Sequence, residues 1–313
     1  MEFDLIEQYF KPLSQTTRPG DLAIGDDGAL ITPPLASQLV VVTDTLVSGV
    51  HFLPDAEPYD IGWKSLAVNL SDLAAMGAQP AFYSLALTLP HPNSSWLAEF
   101  SRGLQDCAQP YAMPLIGGDT TKGPLCISVT AQGWVPNGEA LLRSGAKLGD
   151  DIYVSGGIGE AGLGLSLAKA GRAGDNAQEI YALDCLNRPQ ARVSLGVALR
   201  NVATSAIDVS DGLLADLNHI LQASNLGADL NLSDIPLSQA VKNWGQANLV
   251  QALNAGDDYE LCFTAHPRER GAIEVLSGRL NLPIHRIGKT RQTPGLVVDG
   301  LEGVEGVRGY EHF

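Results

Sequence analysis

The sequence predicts two α+β domains, and three features carry that prediction. Strand-like apolar runs alternate with helical runs in both halves of the chain. A turn-rich, charged stretch, "VPNGEALLRSGAKLGDD" (Val135–Asp151), reads as the hinge between them and sets the expected domains at 1–137 and 138–313. The 313 residues, 45% of them hydrophobic, are enough to bury a core in each half.

In the first half, "LVVVTDTL" (Leu39–Leu46), "AFYSLALTL" (Ala81–Leu89) and "LCISVTAQGWV" (Leu125–Val135) are apolar or alternating and rich in β-formers. Between the first two, Leu66, Leu70 and Leu73 recur at helical spacing, and Gly77 suits a C-terminal cap. A second helix, about Ser95–Cys107, leads into "MPLIGGDTT". The second half opens on the strand "IYVSG", followed by helices near Gly162–Ala170, Ala177–Cys185 and Ala191–Leu199. The strand "SAID" and the helix "LLADLNHILQAS" come next, then strands around Glu260–Thr264, His285–Ile287 and Leu296–Val298.

Composition excludes several classes. A net charge of −15 repels nucleic acid and anionic membranes, so neither is expected as a partner. The start, "MEFDLIEQYF", has no basic region ahead of an apolar one. No stretch stays apolar for the ~18 residues of a membrane span, and a cytoplasmic protein is expected. The four cysteines lie far apart without C-x-x-C, which favours reduced core thiols over a disulfide framework or a zinc site.

"VSGGIGEAGLG" contains Gly157-x-Gly159-x-x-Gly162 after a strand and opening a helix, as dinucleotide-binding turns do. That fingerprint needs a second parallel strand ending in an acid, whereas "AGDNAQEIYALDCL" reads as turn then helix. The glycines therefore read as packing or tight-turn residues.

The stronger signal is acidic and distributed. Asp26 and Asp27 sit in the glycine-bracketed "IGDDGAL"; Thr43 and Asp44 end a strand; Asn69 and Asp72 share a helix face. "LIGGDTT" adds Gly118 and Asp119, and "AIDVSDGL" adds Asp208, Ser210 and Asp211. Singly, each Asp is an ordinary cap or turn residue. Together, converging carboxylates repel unless cations compensate them. Asp and Ser/Thr oxygens are hard ligands that favour Mg²⁺ over Zn²⁺, and several Mg²⁺ ions are what polyphosphate transfer requires.

In order along nearly the whole chain, "IGDDGA", "TDTLVSGVHF", "NLSDLAAMGAQP", "GGDTT", "DVSDGLLADL" and the terminal "GYEHF" resemble the bacterial thiamine-monophosphate kinases. That family lies within the aminoimidazole ribonucleotide synthetase-like ATP-binding superfamily. The resemblance implies the two-domain α+β fold of that superfamily, with a homodimer whose N-terminal sheets form a barrel and a C-terminal α/β sandwich that completes the site. It implies phosphorylation of thiamine monophosphate by ATP through direct in-line transfer, without a phosphoenzyme or a protein nucleophile. On the matching positions, Asp27, Thr43, Asp44, Asp72, Asp119, Asp208 and Asp211 would hold several Mg²⁺ ions. Gly118, Asp119, Arg143 and Ser210 would contact ATP, and His51, Asp257 and Tyr310 would face thiamine monophosphate.

Where the family usually reads Gly-Gly-Glu-Asp-Tyr-Glu-Leu this chain has "AGDDYEL", so Asp257 keeps the charge with one methylene less reach. Generic alternatives stand beside these roles: a turn for Asp257, a loop histidine for His51, a solvated surface for Arg143 and Lys64, a docked tail for Tyr310. Two rival functions stand as well, another ATP-dependent enzyme of the superfamily and a non-catalytic protein stabilised by divalent cations.

Overall fold

The valine-rich alternation of "SQLVVVTDTLV" forms β1 (Ser37–Val47) in the computed structural model, which describes residues 2–15, 20–245 and 249–301. A one-turn helix, α1 (Glu2–Leu5), precedes it and runs into a π-helical turn ending at Phe10. After β1 come α2 (Pro58–Ala75), β2 (Gln79–Leu89), α3 (Ser94–Ala108), β3 (Leu115–Lys122) and β4 (Cys126–Pro136). The strands order as β1-β4-β2-β3, with β1 and β2 antiparallel to β4 and β3 parallel to β2.

Strand alternation gives this sheet two unlike faces. Leu85, Leu87 and Leu89 of β2 are buried with Ile127, Val129 and Ala131 of β4, and Leu73 of α2 packs against Gly133 of β4. The other face carries hydroxyl pairs, Thr43 with Thr130 at 2.9 Å and Thr45 with Ser128 at 2.7 Å. Leu39 and Val41 lie on that face 47% and 55% exposed. Helices α2 and α3 meet at glycines: a Cβ on Gly62 would stand 2.1 Å from the Phe100 carbonyl oxygen, and one on Gly103 2.0 Å from that of Tyr59. Asn93 caps α3 by accepting from the backbone N–H groups of Ser95 and Trp96.

Contacts divide the chain into two units, Met1–Leu73 with Ala78–Gly138, and Ala74–Gly77 with Glu139–Phe313. The second contains β5 (Asp151–Ser155), α4 (Glu160–Lys169), α5 (Ala177–Asn187), α6 (Val193–Leu199), β6 (Ala203–Asp208) and α7 (Leu213–Ser224). It continues through β7 (Gly227–Asn231), α8 (Gln239–Trp244), α9 (Leu249–Leu253), β8 (Leu261–Ala265), α10 (Arg270–Leu280), β9 (Ile284–Arg291) and β10 (Gly295–Asp299). Its sheet orders as β10-β7-β9-β5-β8-β6, and α7 packs Leu213, Leu217 and Ile220 into a core with Val154, Ile207, Cys262 and Ile287.

The glycine fingerprint after β5 is a packing device. Strand β5 pairs antiparallel with both β8 and β9, so no βαβ unit forms. Gly159 caps α4 at φ +84°, and a Cβ on Gly162 would stand 2.2 Å from that of Ala255. Two strands run further than the sequence suggested. β1 extends Leu39–Leu46 at both ends to Ser37–Val47, with Thr43 and Asp44 inside it, and β3 carries Gly117, Gly118 and Asp119 inside the strand, opposite Ser84, Leu85 and Ala86. Like α1, α8 and α9, β7 and α10 have no counterpart in the sequence pattern. β7 ("GADLN") holds poor β-formers and exists because β9 and β10 flank it; α10 buries only Ile273 and Leu276.

Candidate functional site

The first unit gathers part of the acidic set around a cleft of about 750 Å³. Asp26 and Asp27 face it from the loop before β1, and Gly117, Gly118 and Asp119 from β3, while Ile6 and Phe10 supply apolar wall. Gly118 has a structural reason to be glycine, since a Cβ there would stand 1.8 Å from the Leu85 carbonyl oxygen. Asp26, Asp27 and Asp119 are exposed, and Asp26 Oδ1 accepts from the Asp27 N–H at 2.8 Å.

Thr43 and Asp44 sit next to each other on β1, so their side chains leave opposite faces of the sheet. Asp72 lies on α2 one turn after Asn69. Asn69 is fully buried; its Nδ2 donates to the Ser65 carbonyl, and its Oδ1 has no hydrogen-bond partner among the described residues. An orphaned buried oxygen is costly, and this one lies on the helix that carries Asp72. His51 closes the turn after β1: its Nδ1 accepts from the Val47 N–H at 3.0 Å, which in the neutral ring puts the proton on Nε2. The buried Lys64 ammonium donates to the His51 carbonyl at 3.3 Å and ties that turn to α2.

Neither Asp44 nor Asp72 lines that cleft, and the second unit brings together its own members of the set. Asp208 ends β6, buried, and Ser210, Asp211 and Gly212 make the turn into α7. Asp216, one turn into α7 and 2% exposed, accepts from the N–H groups of Asp211 and Gly212 at 3.0 and 3.1 Å. Burial first, then the neighbouring Asp208, pushes its carboxyl up to about 8. The "AGDDYEL" loop is fastened to the same turn, Asp257 N–H donating to the Ser210 carbonyl and Tyr259 N–H to that of Val209, both at 2.8 Å. Asp208, Ser210, Asp211 and Asp257 therefore share one neighbourhood. Arg143 is exposed in a 3₁₀ turn (Arg143–Gly145) whose Gly145 packs on the Thr204 carbonyl of β6. Tyr310 lies outside the described residues.

Sequence reasoning missed Asp216, Asp258 and Glu260. Asp258 accepts from the N–H groups of Gly159 and Ala161 at the start of α4, and desolvation pushes its carboxyl well above the usual range. Glu260 accepts from the Ser155 hydroxyl and pairs with the Arg192 guanidinium. No strand period marks Asp258 and Glu260, because they precede β8 and the chain is left-handed at Asp257 and Tyr259. Among the described residues, no three His, Cys, Asp or Glu side chains stand close enough to hold a metal. The donors nevertheless fit one kind of ion, since carboxylates, hydroxyls and the Asn69 amide oxygen are all hard oxygen ligands suited to Mg²⁺.

Fold and acidic loops together define a two-domain protein of the AIR synthase related class. The N-terminal domain of that class matches residues 25–135, and its C-terminal domain residues 147–300. The thiamine-monophosphate kinase of Escherichia coli (strain K12) is 46% identical over 318 residues, covering 100% of this chain and 98% of that one. The crystal structure of thiamine-monophosphate kinase from Stenotrophomonas maltophilia K279a superposes with a TM-score of 0.87 at 47% identity, covering 92% of this chain and 93% of the other. AaThiL complexed with AMPPCP and TMP superposes with a TM-score of 0.80 at 30% identity, covering 100% and 97%. The chain belongs to the thiamine-monophosphate kinase family.

Proposed function

We propose that this chain transfers the terminal phosphoryl group of ATP to the phosphate of thiamine monophosphate, giving thiamine diphosphate and ADP. The observation that carries this is full-length similarity to thiamine-monophosphate kinases, among them a relative solved with AMPPCP and TMP. The acceptor phosphate oxygen attacks in line, and no protein nucleophile intervenes. Asp27, Thr43, Asp44, Asp72 and Asp119 of the first unit and Asp208 and Asp211 of the second are the Mg²⁺ ligands of this reading. Bound Mg²⁺ would neutralise phosphate charge as the transition state forms. Gly118 and Ser210 offer backbone and hydroxyl groups to the nucleotide, and Arg143 offers a planar donor fork to phosphate oxygens. His51 would face the acceptor phosphate. Asp257, with Tyr310 beyond the described residues, faces the cationic thiamine moiety.

The open face of the first-unit sheet supports a homodimer, because Leu39 and Val41 leave an apolar strip beside the hydroxyl ladder. Two such faces packed together would form the barrel. Dependence on ATP supports a cytoplasmic location, and the charge of −15 weighs against nucleic-acid or membrane partners. No helix among the described residues is long and apolar enough to cross a membrane. The deciding assay follows ADP release and thiamine diphosphate formation with ATP, Mg²⁺ and thiamine monophosphate. ATP turnover indifferent to thiamine monophosphate would sink the reading.

A further inference from the structure

We propose that Tyr259 is a positioning residue that holds the Asp257 carboxylate for the substrate; the inference rests on the kinase reading and on Asp257 touching thiamine monophosphate. The Tyr259 hydroxyl donates to Asp257 Oδ1 at 2.9 Å. Residues two apart meet here because the chain is left-handed at both, φ +61° at Asp257 and φ +50° at Tyr259. Aspartate tolerates that region, but a bulky tyrosine there is an outlier. Stability alone would place glycine at such positions, as at the adjoining Gly256 with φ +75°.

Strained backbone persists only where its surroundings over-determine it, and it gathers at functional sites. The surroundings are present. Asp257 N–H and Tyr259 N–H are bound to the Ser210 and Val209 carbonyls, and Val209 N–H returns to the Glu260 carbonyl. The alternate residues act as anchors: Asp258 caps α4, and Glu260 is held by Ser155 and Arg192. With these fixed, Asp257 and Tyr259 are left as a hydrogen-bonded pair beside the turn that carries Asp208 and Asp211. Tyr259 is only 9% exposed, so its hydroxyl is itself held in place. One rotamer of Asp257 is thereby selected before substrate arrives, which removes an ordering cost from binding.

Three variants test this by steady-state kinetics and thermal melting. Tyr259→Phe keeps the ring and removes only the hydroxyl. It should raise KM for thiamine monophosphate about tenfold, the worth of one hydrogen bond, with KM for ATP and Tm almost unchanged. Asp257→Asn keeps an acceptor for the hydroxyl and tolerates the left-handed backbone, but loses the charge; it should raise the same KM. Combined with Asp257→Asn, Tyr259→Phe should add less than it does alone, because the two act as one unit. Asp257→Gly should raise Tm by relieving the left-handed residue while also raising KM. If Asp257→Asn raises KM and Tyr259→Phe does not, the positioning role is overturned and the kinase reading stands. If Tyr259→Phe weakens both substrates equally and lowers Tm, the tyrosine is merely structural. An unchanged KM in Asp257→Asn removes the substrate contact on which the inference rests. Absence of thiamine monophosphate-dependent turnover in the unaltered protein would instead sink the kinase reading.

Discussion

The first unit keeps its cleft carboxylates in water, with Asp26, Asp27 and Asp119 all exposed, whereas the second buries Asp208 and Asp216 at the foot of a helix. In the first, solvent carries the cost of like charges near one another, and the backbone asks little of the side chains. In the second, backbone N–H groups and a fastened loop fix the carboxylates, and Asp216 answers by holding its proton up to about pH 8. The first unit's cleft carboxylates are solvated, whereas in the second Asp216 is held by backbone N–H donors and the loop carrying Asp257 is fastened to the Val209–Ser210 turn. That difference predicts unequal effects on stability for chemically equal substitutions.

The largest effect tests the comparison most directly. Asp208→Asn and Asp119→Asn should each lower kcat by roughly a hundredfold or more, because each removes a charge that stabilises phosphoryl transfer. Their melting temperatures should part: Asp208→Asn should melt higher than the unaltered protein in metal-free buffer, and Asp119→Asn should not move. If Asp208→Asn melts lower, the buried carboxylate is a structural asset and the contrast fails.

Next in size is the response to ligand. Mg²⁺ with a non-hydrolysable ATP analogue at a hundred times its Kd should stabilise the protein by about 2.7 kcal/mol, read as a rise in Tm. NaCl of equal ionic strength should fall well short; an equal rise would mean general screening of the −15 charge. Asn69→Leu should blunt this rise while raising the Tm of metal-free protein, since it removes a buried acceptor that has no partner among the described residues.

The open sheet face offers a third contrast. Val41→Glu puts a charge on the exposed apolar strip and should convert a dimer to monomers in analytical ultracentrifugation. A dimer that survives it would move the interface elsewhere.

The smallest effect concerns a carboxylate compensated within the protein itself. Asp151 is buried, which pushes its carboxyl up, but hydrogen bonds and charge from Arg270, then Arg286, hold it below the usual range. A depressed carboxyl adds stability that is complete above its unfolded pKa near 3.8 and is lost as pH falls through its lower folded value. Asp151→Asn should therefore flatten the loss of Tm on acidification below about pH 4, with little change in that slope near neutrality. A slope unchanged by the substitution would show that the arginines contribute nothing there.

Periodicity in the sequence was enough to determine β1, β2, β4, α2, α3 and α7, because each buries one continuous face whose apolar spacing is local. Motif spacing likewise marked Asp208, Ser210 and Asp211 as a loaded turn, since a strand end followed by Asp-Gly and an apolar helix reads within a few residues. Only the tertiary structure made "GADLN" a strand, because its stability comes from β9 and β10, which lie more than fifty residues away in the chain. It also decided that Gly118 is glycine for the sake of Leu85, and that Asp258 serves α4 across ninety-nine residues. The left-handed backbone at Asp257 and Tyr259 is the clearest case. Neither residue prefers that conformation, and no local pattern announces it. It exists because bonds to Val209 and Ser210 outweigh the local preference, and hydrogen bonds across sequence distance leave no period in the chain.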